Sequence, residues 1–206
     1  MSCTNKRHIL EIEELSVSFL QYENDRSSRQ VELPVISRLS VSVHEGEIVA
    51  VVGSSGSGKS LLAHAILGML PYNAKVGGQM YFDGELLTAE KMKELRGNKI
   101  AFVPQSTTYL DPLMKVGEQV SQSRKNAARR QRQRSLFARY GLGKDVDNKY
   151  PFECSGGMTR RVLLTSALMD EPELIIADEP TPGMDLVLAK KSMEDFRAFA
   201  DEGHGV

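Results

Sequence analysis

Tryptophan is absent, and cysteine occurs only at Cys3 and Cys154. Two thiols so far apart in a chain of 206 residues do not make a disulfide framework, and they point to a reducing compartment. Charge of one sign is not in excess. The 26 Lys and Arg residues against 27 Asp and Glu leave a net charge of −1, so the chain as a whole has no nucleic-acid footprint. Long apolar runs are missing, which excludes a membrane-spanning helix. The opening residues MSCTNKRHILEIEE carry no signal-peptide apolar core. His8, His44 and His64 lie in strand, turn and helix contexts and give no metal-ligand grouping by spacing. The expectation is a cytoplasmic protein whose link to a membrane passes through a partner. The apolar content is ordinary for a soluble globular chain, so a sizeable core is possible in one domain, with or without an inserted lobe.

What is present begins with GSSGSGKS at 53–60. A Gly/Ser cluster of this length is elsewhere a linker. Here EIVAVV precedes it, a β-branched run that reads as a buried strand. KSLLAHAILGML follows, with Leu62, Ala65, Ile66 and Met69 at helical spacing and Pro71 as a stop. Strand, Gly-rich loop and helix, together with the pattern G-x-x-x-x-G-K-[ST], make a P-loop. Gly53, Ser54, Ser55, Gly56, Ser57 and Gly58 would wrap the phosphates of ATP. Lys59 would reach the β- and γ-phosphates, and the Ser60 hydroxyl would ligate Mg²⁺. A second apolar strand, LIIADE, ends in Asp178 and Glu179. Beside a P-loop, such acids hold the metal (Asp178) and polarise the attacking water (Glu179).

Around these motifs, HILEIEELSVSF and VELPVISRLSVSV read as strands. GGQMYFDGELL reads as a hairpin turning at Asp83-Gly84, and NKIAFVPQ as a strand ending at Gln105. From about 116 to 169 the pattern is helical. The last helix follows Asp185, with Ala189, Met193, Phe196 and Ala200 on one face and Gly203 as its stop. This order predicts an α/β fold: a P-loop core with a parallel sheet, an antiparallel β subdomain and an inserted helical lobe. The core and β subdomain take 1–110 and 171–206, and the lobe takes 111–170. The basic run RKNAARRQRQR carries six positive residues from Arg124 to Arg134 and no acid. Its readings are a solvated helix, a contact with anionic lipid, or a nucleic-acid contact disfavoured by the lack of aromatics.

CSGGM at 154–158, with FVPQ upstream and DEPTPGMD downstream, resembles the ATP-binding subunits of ABC transporters over nearly the whole chain. YLDPLMKVGEQV is similar to a segment of the oligopeptide, dipeptide and nickel importers. The resemblance implies that Gln105 contacts Mg²⁺ and the attacking water and couples the site to a membrane partner. It implies that Ser155, Gly156 and Gly157 cap the γ-phosphate bound by a second, homologous subunit, in a homo- or heterodimer. It gives Asp185 a role at the nucleotide and Phe19 a role stacking on adenine, with Tyr22 as the competing aromatic. It implies transmembrane permease partners, a peripheral place on the inner face of the cell membrane, and no direct nucleic-acid partner. Cys154 and Met158 stand where the family more often has Leu and Gln, and Cys154 reads as a packing residue. The family's last strand and switch histidine are not found before GHGV, so the fold reads as truncated at the C-terminus. Two other functions stay open: a soluble ABC ATPase without transport, and a nucleotide-binding module with little hydrolysis.

Overall fold

The computed structural model describes residues 6–22, 30–122 and 126–206. Cys3, Arg124 and Lys125 lie outside them. The chain divides into two compact units, residues 1–96 with 199–206, and residues 97–198.

The first unit holds an antiparallel sheet in the order β2-β1-β3-β4. β1 is His8–Tyr22, β2 Gln30–His44, β3 Ala74–Phe82 and β4 Glu85–Leu86. Ile9, Ile12, Leu15 and Val17 of β1 are buried. Bulges interrupt β1 where Glu14 takes a left-handed φ of 50°, so its inward alternation is irregular. The β3–β4 turn is Asp83-Gly84 with φ of 52° and 77°, the doubly left-handed turn that a two-residue hairpin requires. Helix α1, Lys59–Ile66, buries Leu62, Ala63, Ala65 and Ile66. It ends earlier than expected. Gly68, at φ 63°, donates its N–H to Ala65 O (3.1 Å), and Met69 donates to His64 O (2.8 Å). These two bonds form a Schellman stop, so the chain has left the helix before Met69 and Pro71. Helix α2, Ala89–Leu95, was not anticipated; Thr88 caps it by accepting from Lys91 N.

The segment 47–52 corrects an expectation. It is not a buried strand: Val51 is 52% and Val52 92% exposed. Val49 N donates to Val206 O (2.8 Å) and Val206 N donates to Glu47 O (3.0 Å), the alternation of a parallel bridge. Beyond that bridge the segment is irregular. Strand character requires ladder partners on a half-buried surface, and β-branched residues alone do not supply them.

The second unit contains the parallel pair β5 (Ile100–Val103) and β6 (Leu174–Ala177), in register from Ile100 opposite Leu174 to Val103 opposite Ala177. Parallel strands need a long crossover, and here it carries the helices. These are α3 (Val116–Ser121), α4 (Ala127–Arg139) and α5 (Gly156–Ala167). Leu110, Val116, Val120, Phe137, Val162 and Leu163 form the centre of their core. Helix α6, Leu186–Asp201, follows β6. Its buried positions are Ser192, Phe196, Phe199 and Ala200, whereas Met193 is exposed, so the inward face is rotated from the one expected. Gly203, at φ 98°, donates to Ala200 O as the stop.

Among the described residues of the basic run, Arg129 and Arg132 are held by ion pairs within the second unit. Arg129 makes a bidentate pair with Asp170. Arg132 reaches Glu171 (2.5 Å) and Leu168 O (3.0 Å). Both hold α4 against the segment that follows α5.

Candidate functional site

In the first unit, the 53–60 loop is shaped by close approach. A Cβ on Gly53 would lie 2.6 Å from Ser57 Oγ. Gly58 is the N-cap of α1 at φ 92°, a conformation that favours glycine. Ser57 N donates to Ser54 O (3.2 Å), which folds the tip. Lys59 Nζ donates to Gly53 O (2.9 Å) and Ser54 O (2.8 Å), so the ammonium is curled over its own loop.

The start of α1 fits an anion. The first intrahelical bond runs from Leu62 N to Gly58 O, which leaves the first-turn N–H groups without helical acceptors. No side chain caps them and no acid sits in the first turn. Open donors, the positive end of the helix dipole and a lysine held by neutral carbonyls together suit phosphate. Phe19 is half-buried in β1 between Leu33 and Ala74, a packing position, while Tyr22 at the strand end is 64% exposed.

In the second unit, Asp178 N donates to Val103 O (2.9 Å), carrying the β5–β6 ladder one step past β6. Both carboxylates then leave the carboxyl end of that strand, where open α/β sheets bind ligands. Glu179 has a left-handed φ of 47°. Gln105 Nε2 donates to Glu179 Oε2 at 2.6 Å. Two residues 74 positions apart, chosen from separate motifs, are thus in direct contact. Ser60 belongs to the first unit, and Gln105 and Asp178 to the second.

The CSGGM segment begins α5. Ser155 is its N-cap and accepts from Met158 N (3.3 Å). The first turn holds no acid, again suited to an anion. A Cβ on Gly156 would meet nothing within 4 Å, whereas one on Gly157 would lie 3.2 Å from Gly183 O. Gly157 therefore lets the 181–184 turn rest on the helix. Asp185 Oδ1 accepts from Leu188 N (3.0 Å) and so caps α6. Cys154 and Met158 are partly buried against the helical core, and burial pushes the Cys154 thiol pKa above its ordinary value. That environment suits packing rather than reactivity.

Two residues of the YLDPLMKVGEQV segment have structural duties that spacing alone did not reveal. Gln119 accepts from Asp111 N (2.9 Å) and donates to Asp111 O (2.8 Å) and Met114 O (2.7 Å), clamping the loop before α3. Gly117 has no room for a side chain, because a Cβ would lie 2.8 Å from Asp147 O.

A phosphate-shaped loop at a helix start and paired acids at the end of a parallel strand define a P-loop nucleotide-binding domain of mixed α/β architecture. The family model for ABC transporters matches residues 36–182, and the chain belongs to that family. It is 35% identical over 94% of its length to a peptidoglycan transport ATP-binding protein (YejF) of Agrobacterium fabrum, covering 37% of that protein. It is 32% identical to the oligopeptide transport ATP-binding protein OppD of Lactococcus lactis, with 91% of this chain and 57% of that protein covered. For the dipeptide transport ATP-binding protein DppD of Escherichia coli the values are 34%, 90% and 59%. The chain thus spans between about a third and three fifths of the length of these relatives. Among solved structures, it resembles a dimeric ATP-binding cassette in a post-hydrolysis state with ADP and Pi. The TM-score is 0.80 at 26% identity, covering 94% of this chain and 83% of the other. It also resembles cbiO1 of Clostridium perfringens, part of the ABC transporter complex cbiONQ, with a TM-score of 0.68 at 25% identity, covering 96% and 75%. The fold is that of an ABC ATPase cassette. No helix among the described residues is long and apolar enough to cross a membrane.

Proposed function

We propose that the chain is the ATP-binding and ATP-hydrolysing part of an ABC importer, and that the cargo is peptide. The observation that carries the hydrolytic reading is the Gln105–Glu179 hydrogen bond. It holds a carboxylate that follows the β6 strand in a fixed orientation, as a general base requires. The names of the oligopeptide and dipeptide relatives support the cargo, and neither mentions nickel.

In this reading, Lys59 exchanges two neutral loop carbonyls for phosphate oxygens, which are stronger acceptors because they are charged. The first-turn N–H groups of α1 orient the phosphate chain. Ser60, Gln105 and Asp178 would hold Mg²⁺, which when bound neutralises charge on the β- and γ-phosphate oxygens. Glu179 Oε2 accepts the proton of the attacking water. The water oxygen bonds to the γ-phosphorus while the bond to the bridging oxygen breaks, giving ADP and phosphate. Ser155, Gly156 and Gly157 would cap the γ-phosphate held by a homologous second subunit, and Asp185 would lie beside it. Two such subunits would close over ATP, and permease subunits would take up that closure.

The test is ATP turnover of the chain beside Glu179→Gln, with Mg-ATP binding measured in parallel. General-base removal should cost about 10²–10⁴-fold in turnover with binding retained. Binding without turnover in the unaltered chain would refute hydrolysis and leave a nucleotide-binding module. No binding would refute the reading of the loop.

A further inference from the structure

His8 and His44 are distant in sequence, yet the antiparallel pairing of β1 and β2 sets them opposite one another. Their ring centroids are 4.2 Å apart, with the planes inclined by 57°. His8 is at the surface and His44 retains 30% side-chain exposure, so the pair is reachable from solvent. The turn that follows fixes one ring. Glu47 N donates to His44 O (3.1 Å), and Gly46 takes φ 75°, as a tight turn needs. This brings the Glu47 carboxylate back onto His44. Its Oε2 accepts from both the His44 backbone N–H and ring Nδ1, each at 2.8 Å. With Nδ1 carrying the proton toward Glu47, the lone pair of His44 lies on Nε2.

We propose that His8 and His44 form a two-imidazole site for a divalent transition ion of the zinc, nickel or copper class, oriented by Glu47. A carboxylate behind a histidine is the arrangement that fixes ring orientation and raises ligand basicity in metal sites. Imidazole nitrogen selects these ions over magnesium and calcium. Two imidazoles on one tetrahedral ion at about 2.0–2.1 Å hold their centroids roughly 5 Å apart, so the observed pair must open by about 1 Å. Among the described residues no third His, Cys, Asp or Glu completes a preassembled group, so water fills the remaining positions. The ion would staple the two strand ends to the turn that leads into the 53–60 loop.

Zinc binding to the full chain is measured by calorimetry with magnesium in excess, in a Cys3→Ser/Cys154→Ser background so that thiols do not compete. One equivalent of Zn²⁺ should bind. His8→Ala and His44→Ala should each weaken it at least about tenfold, and Glu47→Gln by about 10–100-fold. Unfolding curves without zinc establish that the variants are folded, and the surface variant His8→Gln decides the matter if His44→Ala is not. No saturable zinc binding, or binding undiminished in a folded His8 variant, overturns the site.

Discussion

Gly156→Ala separates what the helical lobe needs for folding from what the site needs for its chemistry. In isolation Gly to Ala inside a helix is favourable by about 0.5–1 kcal/mol, because alanine loses less conformational freedom. Whether that gain survives depends on what the new methyl meets. At Gly156, the first residue of α5, it meets nothing within 4 Å. At Gly117, in the first turn of α3, it would sit 2.8 Å from Asp147 O and 3.0 Å from Asp147 Cα, and backbone does not yield cheaply. Overpacking of that kind costs about 1–3 kcal/mol, which outweighs the helix gain. Gly156→Ala is therefore expected to leave unfolding free energy unchanged or raised by up to about 1 kcal/mol, and Gly117→Ala to lower it by about 0–2.5 kcal/mol, as measured by urea denaturation. Nothing among the described residues demands glycine at 156. If that glycine serves close approach to a nucleotide held by a second subunit, Gly156→Ala will depress steady-state ATP turnover while single-chain nucleotide binding and stability are kept. A Gly156→Ala protein that is destabilised by more than about 1 kcal/mol, or that turns over ATP at the unaltered rate, refutes this reasoning.

Asp185→Ala should destabilise α6 by about 0.5–2 kcal/mol through loss of the cap to Leu188 N, while Asp185→Asn keeps a capping oxygen. Activity lost in a fully stable Asp185→Asn protein would mark a role beyond capping. Arg129→Met removes the bidentate pair that ties α4 to Asp170, at a cost of about 1–2 kcal/mol by denaturant unfolding. The Glu47 carboxyl is held below its ordinary value of 4.5, chiefly by the His44 backbone N–H and then by the His44 ring. Its contribution is present above that value and is lost as pH falls through the lower folded-state pKa, so Glu47→Gln should flatten the acid limb of the stability–pH curve. Cys154, its thiol pKa raised by burial, should react with iodoacetamide more slowly in the folded chain than in urea, with peptide mapping to separate it from Cys3.

Local chemistry made several features legible in advance. The Asp83-Gly84 turn and the glycines of the 53–60 loop depend on a few adjacent residues whose backbone preferences are strong. The hydrophobic spacing of β1, β2 and α1 located those elements for the same reason. The α1 stop at Gly68 was also written locally, in a glycine that Pro71 overshadowed.

Other features depended on partners far along the chain. Whether EIVAVV is a strand rests on what lies beside it, and only Glu47 and Val49 bridge to Val206. The basic run was ambiguous because Asp170 and Glu171, which take up Arg129 and Arg132, lie 41 and 39 residues away. Alone, the sequence determined the motif set, the α/β class and the family, since these follow from residue type at short spacing. Only tertiary structure decided that Gln105 touches Glu179 and that His8 faces His44. Such contacts are set by strand register and helix docking, which sum many weak preferences over the whole chain and are encoded in no single stretch of it.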